Sequence, residues 1–89
     1  MKAIKITILS KENCHFCDTS KKIFNELANE YPLNVEVIDI NTPQGEELAS
    51  TSGFLFPPGL LFDNEPFSYG RPSKRKIVKE IKERMNNFT

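Results

Sequence analysis

Apolar and polar residues alternate at the start of the chain, where Lys5 and Thr7 separate Ile4, Ile6 and Ile8. A period of two predicts a strand over Ala3–Leu9. After a loop at Ser10–Asn13 the period changes. Phe24, Leu27, Ala28 and Tyr31 recur at three- and four-residue spacing, and Phe16 and Ile23 broaden the stripe. This predicts a helix from Cys14 to Tyr31, ended by Pro32, because the residue before a proline is pushed out of helical geometry. Leu33–Ile40, rich in Val and Ile and bounded by Asn41-Thr42-Pro43, predicts the second strand. Thr42-Pro43 has the form of a helix cap followed by proline at the first helical position, and a short helix with an acidic start is expected over Pro43–Thr51. Leu60–Phe62 and Phe67–Tyr69 predict two short strands around a turn at Asp63-Asn64-Glu65. Ser73 is placed to cap a last helix carrying Ile77, Ile81, Met85 and Phe88 on one side.

The order is β-α-β-α-β-β-α, an α/β class. The first two strands flank a crossover helix, so they should be parallel and joined right-handedly. A closing hairpin adds antiparallel strands, giving a four-stranded mixed sheet with helices on both faces. One run resists simple assignment. FLFPPGLLF, Phe54 to Phe62, is the most apolar stretch of the chain and reads as core, with Phe54, Phe56, Phe62 and Phe67 as core aromatics. Yet Pro57 and Pro58 interrupt it where a central strand wants backbone donors.

Length changes the picture little: 89 residues predict a single domain over 1–89. At 38% hydrophobic and 27% charged residues the composition is that of a folded, water-soluble domain. The apolar runs fall far short of the roughly 20 residues that span a bilayer. Met1–Leu9 lacks the layout of a secretory signal, so a cytoplasmic location, with no membrane association, is expected. Charge is balanced in sum and lopsided in distribution. Residues 26–65 carry eight acids and no Lys or Arg, whereas residues 71–85 carry seven basic groups and two acids. No aromatic residues interleave with the basic ones, so a solvated helix face is expected, and no nucleic acid partner.

The chemistry-bearing feature is NCHFCD. Cys14 and Cys17 are the two cysteines of the chain, three residues apart at a junction of strand and helix. Three readings compete: two buried structural thiols, a metal site, and a redox pair. A zinc site commonly wants four ligands from two such pairs, and His15 lies inside the motif, where it cannot easily join both neighbours. A metal site in one chain is therefore not expected, although two chains could pool their cysteines around a metal or cluster. A thiolate at a helix N-terminus meets unpaired backbone donors and the positive end of the dipole, which lowers its pKa below the free value of about 8.5. Cys14 is then the exposed nucleophile, and Cys17, one turn deeper, the resolving thiol. His15 beside Cys14 either stabilises the thiolate or is simply solvated. Asp39, at a strand end, is more simply a turn residue than a proton acceptor for Cys17.

With these residues in place the chain resembles the thioredoxin superfamily, and its glutaredoxin branch more closely, over nearly its whole length. SKENCHFC resembles the glutaredoxin pattern of Ser-Lys, two residues, then C-x-x-C. The pair His15-Phe16 departs from the commoner Pro-Tyr and keeps only the aromatic. The resemblance implies a thiol–disulfide oxidoreductase with a glutaredoxin-type fold and no bound cofactor. It further implies glutathione as co-substrate or a flavin-dependent reductase, a disulfide-containing protein or small molecule as substrate, and a monomer. It implies that Lys11 meets the glycine carboxylate of glutathione, and that a cis-proline opens the third strand. Pro58 is the candidate for that cis residue, with Pro57 as the competing register. If Pro58 is cis, Pro57 can lend a bound thiol partner only its carbonyl, and looser glutathione binding is expected. Gly70 and Ser73 stand near the positions where the family holds the γ-glutamyl carboxylate. A non-catalytic binding module and a dimeric metal or iron–sulfur carrier are the alternative readings.

Overall fold

The computed structural model describes residues 3–86. Its elements are β1 (Ile4–Ser10), α1 (His15–Leu27), β2 (Leu33–Asp39), α2 (Pro43–Ser52), β3 (Gly59–Phe62), β4 (Glu65–Tyr69) and α3 (Lys74–Asn86). The strands form one sheet in the order β2-β1-β3-β4, with β1 and β2 parallel and the other pairs antiparallel. This is the expected mixed α/β architecture.

The alternation in β1 is what sorts the core into two layers. Successive side chains of a strand point to opposite faces. Ile4, Ile6 and Ile8 therefore share one face, where they are fully buried with Phe24 and Leu27 of α1, Ile77 and Ile81 of α3, and Leu60 and Phe62 of β3. Leu9 turns the other way and packs with Ile38, Leu61 and Ala49 of α2. Helices thus cover both faces. Phe24 and Phe62 meet edge to face at 6.1 Å, and Phe67 packs on Phe62 at 4.8 Å. Met85 joins this cluster, while Phe88 lies outside the described residues.

Helix α1 is shorter than its pattern suggests. It stops at Leu27, and the N–H groups of Asn29 and Glu30 donate to carbonyls three residues back, at 3.2 and 2.9 Å. Such tightening is how a last turn satisfies its orphan groups. Tyr31 still donates to Leu27 at 2.9 Å, so it packs on the core without being helical. The buried stripe is Cys17, Ser20, Phe24 and Leu27. Phe16 and Ala28, expected on that stripe, are exposed. Strand β2 ends at Asp39, where the carboxylate accepts the Asn41 N–H at 2.8 Å and makes a turn. The Thr42 hydroxyl donates to the Asp39 carbonyl at 2.7 Å and accepts the Gly45 N–H at 3.0 Å, capping α2. Gly45 is needed there because a Cβ would collide with that same carbonyl.

The hairpin turn is Asp63-Asn64 alone, both at positive φ (51° and 68°), and Glu65 already belongs to β4. Pro66 is tolerated because β4 is an edge strand, and a bulge shifts the register between Leu60 and Leu61. Arg84 of α3 clamps this turn. Its guanidinium reaches Glu80 at 2.7 Å, Glu65 at 2.8 Å and Asp63 at 3.1 Å, and stands 5.6 Å from the centre of the Phe62 ring. Burial opposes the charge, but the carboxylates of Glu65, Glu80 and Asp63 outweigh it and raise the Arg84 pKa above its ordinary value. The remaining cations of α3 are exposed, as a solvated face requires. No described helix is long and apolar enough to cross a membrane.

Candidate active site

The sheet register brings three chain segments to one end. Ser10 closes β1 opposite Asp39, Leu9 pairs with Gly59 at the start of β3, and Gly59 pairs with Tyr69 at the end of β4. The C-x-x-C loop follows Ser10, the double proline immediately precedes Gly59, and Gly70 follows Tyr69 in the chain.

Cys14 is the N-cap of α1, with extended backbone (φ −113°, ψ 108°), and is half-buried. Asn13 before it is at φ 57°, a left-handed geometry that asparagine tolerates and that turns the chain into the helix. The Cys14 sulfur accepts the N–H of Cys17 at 3.2 Å, taking the place a serine oxygen holds at an ordinary cap. The Cys14 carbonyl accepts the Asp18 N–H at 3.1 Å, which starts the helical ladder. Cys17 is fully buried, and the two sulfurs are joined as a disulfide across a Cα separation of 5.2 Å. One sulfur therefore faces outward at the positive end of a helix, and the other sits behind it. His15 and Phe16 between them are exposed, their rings 5.7 Å apart.

The peptide bond between Pro57 and Pro58 is cis, so Pro58 rather than Pro57 is the cis residue. Pro58 is buried, and its carbonyl accepts the Gly70 N–H at 2.8 Å, which ties the head of β3 to the end of β4. The apolar run before it is not core as a whole. Leu60, Leu61 and Phe62 are buried, but Leu55 is 79% exposed and Phe56 is 54% exposed. The reason is connectivity: Gly53 ends α2 in the left-handed region, and residues 54–58 are the link to β3 rather than part of it. Phe56 instead packs edge-on to Tyr69 at 5.1 Å, and Phe54, half-buried, lies 5.8 Å from the same ring. Phe56 also lies against Gly70, which is buried at φ 83° and where a Cβ would come within 2.8 Å of the Phe56 ring.

The other expected contacts are spread more widely. Lys11 is exposed and lines a groove with Glu12, Lys21, Val37 and Asp39. Ser73 caps α3, accepting the Lys76 N–H at 3.4 Å, and lines a second groove with Tyr69, Arg71 and Lys76. Neither groove is lined by a cysteine. Among the described residues no group of three or more His, Cys, Asp or Glu side chains could hold a metal ion. Asp39 is engaged in its turn. Two features escaped the sequence: the exposed Phe56 over Gly70, and Ser20, a wholly buried serine one turn beyond Cys17. The signal for Phe56 was its place between a helix-ending glycine and a proline pair, which marks a connection.

Residues 5–82 match the family model described as Glutaredoxin-like domain (DUF836). The chain belongs to this glutaredoxin-like family, within the thioredoxin superfamily. It is 31% identical, over 96% of its length and the whole of the relative's, to a protein named thioredoxin from Methanocaldococcus jannaschii. Its fold is similar to a mutant thioredoxin from Halobacterium salinarum, with a TM-score of 0.72 at 20% identity, covering 92% of this chain and 74% of that one. It is also similar to the NTD_N/C domain of the alkylhydroperoxide reductase AhpF from Enterococcus faecalis, with a TM-score of 0.73 at 23% identity. That match covers 91% of this chain and 39% of the other. The site is thus a thioredoxin-like redox domain built around the Cys14–Cys17 pair.

Proposed function

We propose that the chain is a thiol–disulfide oxidoreductase that reduces disulfides in proteins and is itself reduced by a flavin-dependent thioredoxin-type reductase. The observation that carries this reading is the asymmetry of the two sulfurs: Cys14 half-exposed at a helix cap, Cys17 wholly buried behind it. In the dithiol form the Cys14 thiolate attacks one sulfur of a substrate disulfide, that bond breaks, and one substrate thiolate leaves. Cys17, deprotonated, then attacks the Cys14 sulfur of the mixed disulfide. The second substrate thiolate departs and the Cys14–Cys17 disulfide remains. Two electrons have moved to the substrate, and no bound cofactor is needed because the cysteines carry them.

The choice of reductant rests on what surrounds the sulfurs. Pro57 has no N–H to offer, so a thiol partner docked beside Pro58 loses one backbone hydrogen bond. Gly70, one of the positions that the glutaredoxin resemblance ties to glutathione, lies under Phe56. The exposed Phe16, Leu55, Phe56 and Tyr69 suit an extended, apolar protein segment better than a small charged tripeptide. The relative named thioredoxin supports the same choice. Such a cycle suits the reducing cytoplasm.

A reductant-swap assay tests the proposal. Disulfide reduction is followed with glutathione and its reductase, then with a thioredoxin reductase, using the parent, Cys14→Ser and Cys17→Ser. Turnover with the thioredoxin-type system, lost in both variants, is expected. Turnover only with glutathione overturns the reductant. Partner binding that survives Cys14→Ser without turnover in the parent points to a binding module, and visible absorption as purified points to a metal or cluster carrier.

A further inference from the structure

The buried stripe of α1 is hydrocarbon and sulfur except at Ser20, which is wholly buried with a hydroxyl that has no hydrogen-bond partner. Helical serines and threonines usually donate to the carbonyl four residues back. The adjacent Thr19 does so, reaching the His15 carbonyl at 3.1 Å. Ser20 does not. Residues three apart share a helix face, and helical side chains lean toward the N-terminus. Ser20 therefore overlies the turn that carries Cys17, itself without solvent exposure.

In the disulfide the Cys17 sulfur is neutral and bonded to Cys14. Reduction changes that. When a reductant thiolate bonds to the Cys14 sulfur, the Cys14–Cys17 bond breaks and Cys17 leaves with the electron pair as a thiolate. An anion released into a buried, largely hydrocarbon place needs a donor. We propose that Ser20 is the positioning residue for this leaving group: its hydroxyl, idle in the disulfide, donates a hydrogen bond to the Cys17 sulfur once that bond has broken. The reductant's second thiolate then attacks the mixed disulfide and Cys14 leaves as a thiolate; two electrons have passed to the protein, and the two protons that the reductant's thiols released are taken up from solvent as the protein's thiolates become thiols. Ser20 thereby favours the dithiol form, and it does so without touching the attacked sulfur. This inference rests on the oxidoreductase reading above.

Removing an unpaired buried hydroxyl does not harm the oxidised form, whereas removing a donor to a buried sulfur harms the reduced one. Parent and Ser20→Ala are equilibrated with oxidised and reduced dithiothreitol in a series of ratios, and the dithiol fraction is measured. The variant should favour its disulfide about 3- to 10-fold more than the parent, or roughly 15–30 mV toward negative potential at about 30 mV per tenfold for two electrons. Denaturant unfolding of both forms gives the second readout. The oxidised variant should be at least as stable as the oxidised parent, and the reduced variant less stable than the reduced parent. Equilibrium constants within about twofold, or an equal loss of stability in both forms, would overturn the role of Ser20. A parent that exchanges with dithiothreitol in no ratio overturns the redox reading and this inference with it.

Discussion

The two ends of the sheet are built from opposite materials. At the hairpin end, Asp63 exchanges hydrogen bonds with the backbone of Lys5, accepting at 2.9 Å and donating at 2.8 Å, and Arg84 gathers Asp63, Glu65 and Glu80. At the cysteine end, Phe16, Leu55, Phe56 and Tyr69 stand exposed around a disulfide and a cis-proline. Charge satisfied by charge fixes one end, and apolar surface left uncovered marks the other. Stability and chemistry thus reside at opposite ends of the sheet. A residue that holds the fold has its partners inside the chain, whereas Cys14 and the aromatic residues at its end of the sheet keep part of their surface uncovered, with Cys17 sheltered behind them.

The comparison breaks most visibly at Cys14. Cys14→Ser should lower disulfide exchange by at least about 10³-fold, since a hydroxyl of ordinary pKa cannot replace the thiolate. Its unfolding free energy, compared with the reduced parent, should stay within about 0.5 kcal/mol. Stopped assays of a protein disulfide and denaturant titration measure both.

Arg84→Ala should do the reverse. Losing the clamp and its stacking on Phe62 should cost about 1–2 kcal/mol of stability, lowered for solvent screening, while exchange by the reduced protein continues at the parent rate. The parent's advantage should shrink in high salt. An activity loss as large as the stability loss would blur the division between the two ends.

What the sequence made legible, and what it hid, divides along the same line. Ile4, Ile6, Ile8, Phe24, Leu27, Ile77 and Ile81 announced themselves because burial imposes a period. Cys14 and Cys17 could be read because their chemistry demands a fixed spacing, and the cis-proline because the glutaredoxin resemblance implies one at the head of the third strand. Phe56 and Leu55 could not be told from core by composition, since an exposed apolar residue and a buried one are the same letters. Only connectivity separates them, and it places residues 54–58 between two elements. The end of α1 is hidden for a related reason. Tyr31 keeps its core contact and its hydrogen bond after the helix has stopped, so the pattern outruns the element. Ser20 was hidden because a serine in a helix carries no sign of whether its hydroxyl is paired.

Smaller effects sharpen the cysteine end. Phe56→Ser should leave stability within about 0.5–1 kcal/mol of the parent, because the ring is half in water. It should raise the KM for a protein disulfide several-fold and lower that for glutathione by uncovering Gly70. A KM for both substrates unchanged from the parent would remove Phe56 from the docking surface. Pro57→Val restores one backbone donor beside Pro58, worth about 0.5–1.5 kcal/mol. Glutathione affinity, measured by calorimetry, should rise by roughly 2- to 12-fold. An affinity no tighter than the parent's would mean that this N–H takes no part in docking.

The central claim is that the outward sulfur is reactive and the inward one is sheltered. Alkylation of the fully reduced, folded protein with iodoacetamide, followed by mass mapping of each cysteine, tests it directly. Cys14 should be modified readily at neutral pH and at least about tenfold faster than Cys17. Equal rates at both thiols, or a Cys14 rate that rises only near pH ~8.5, would contradict the account.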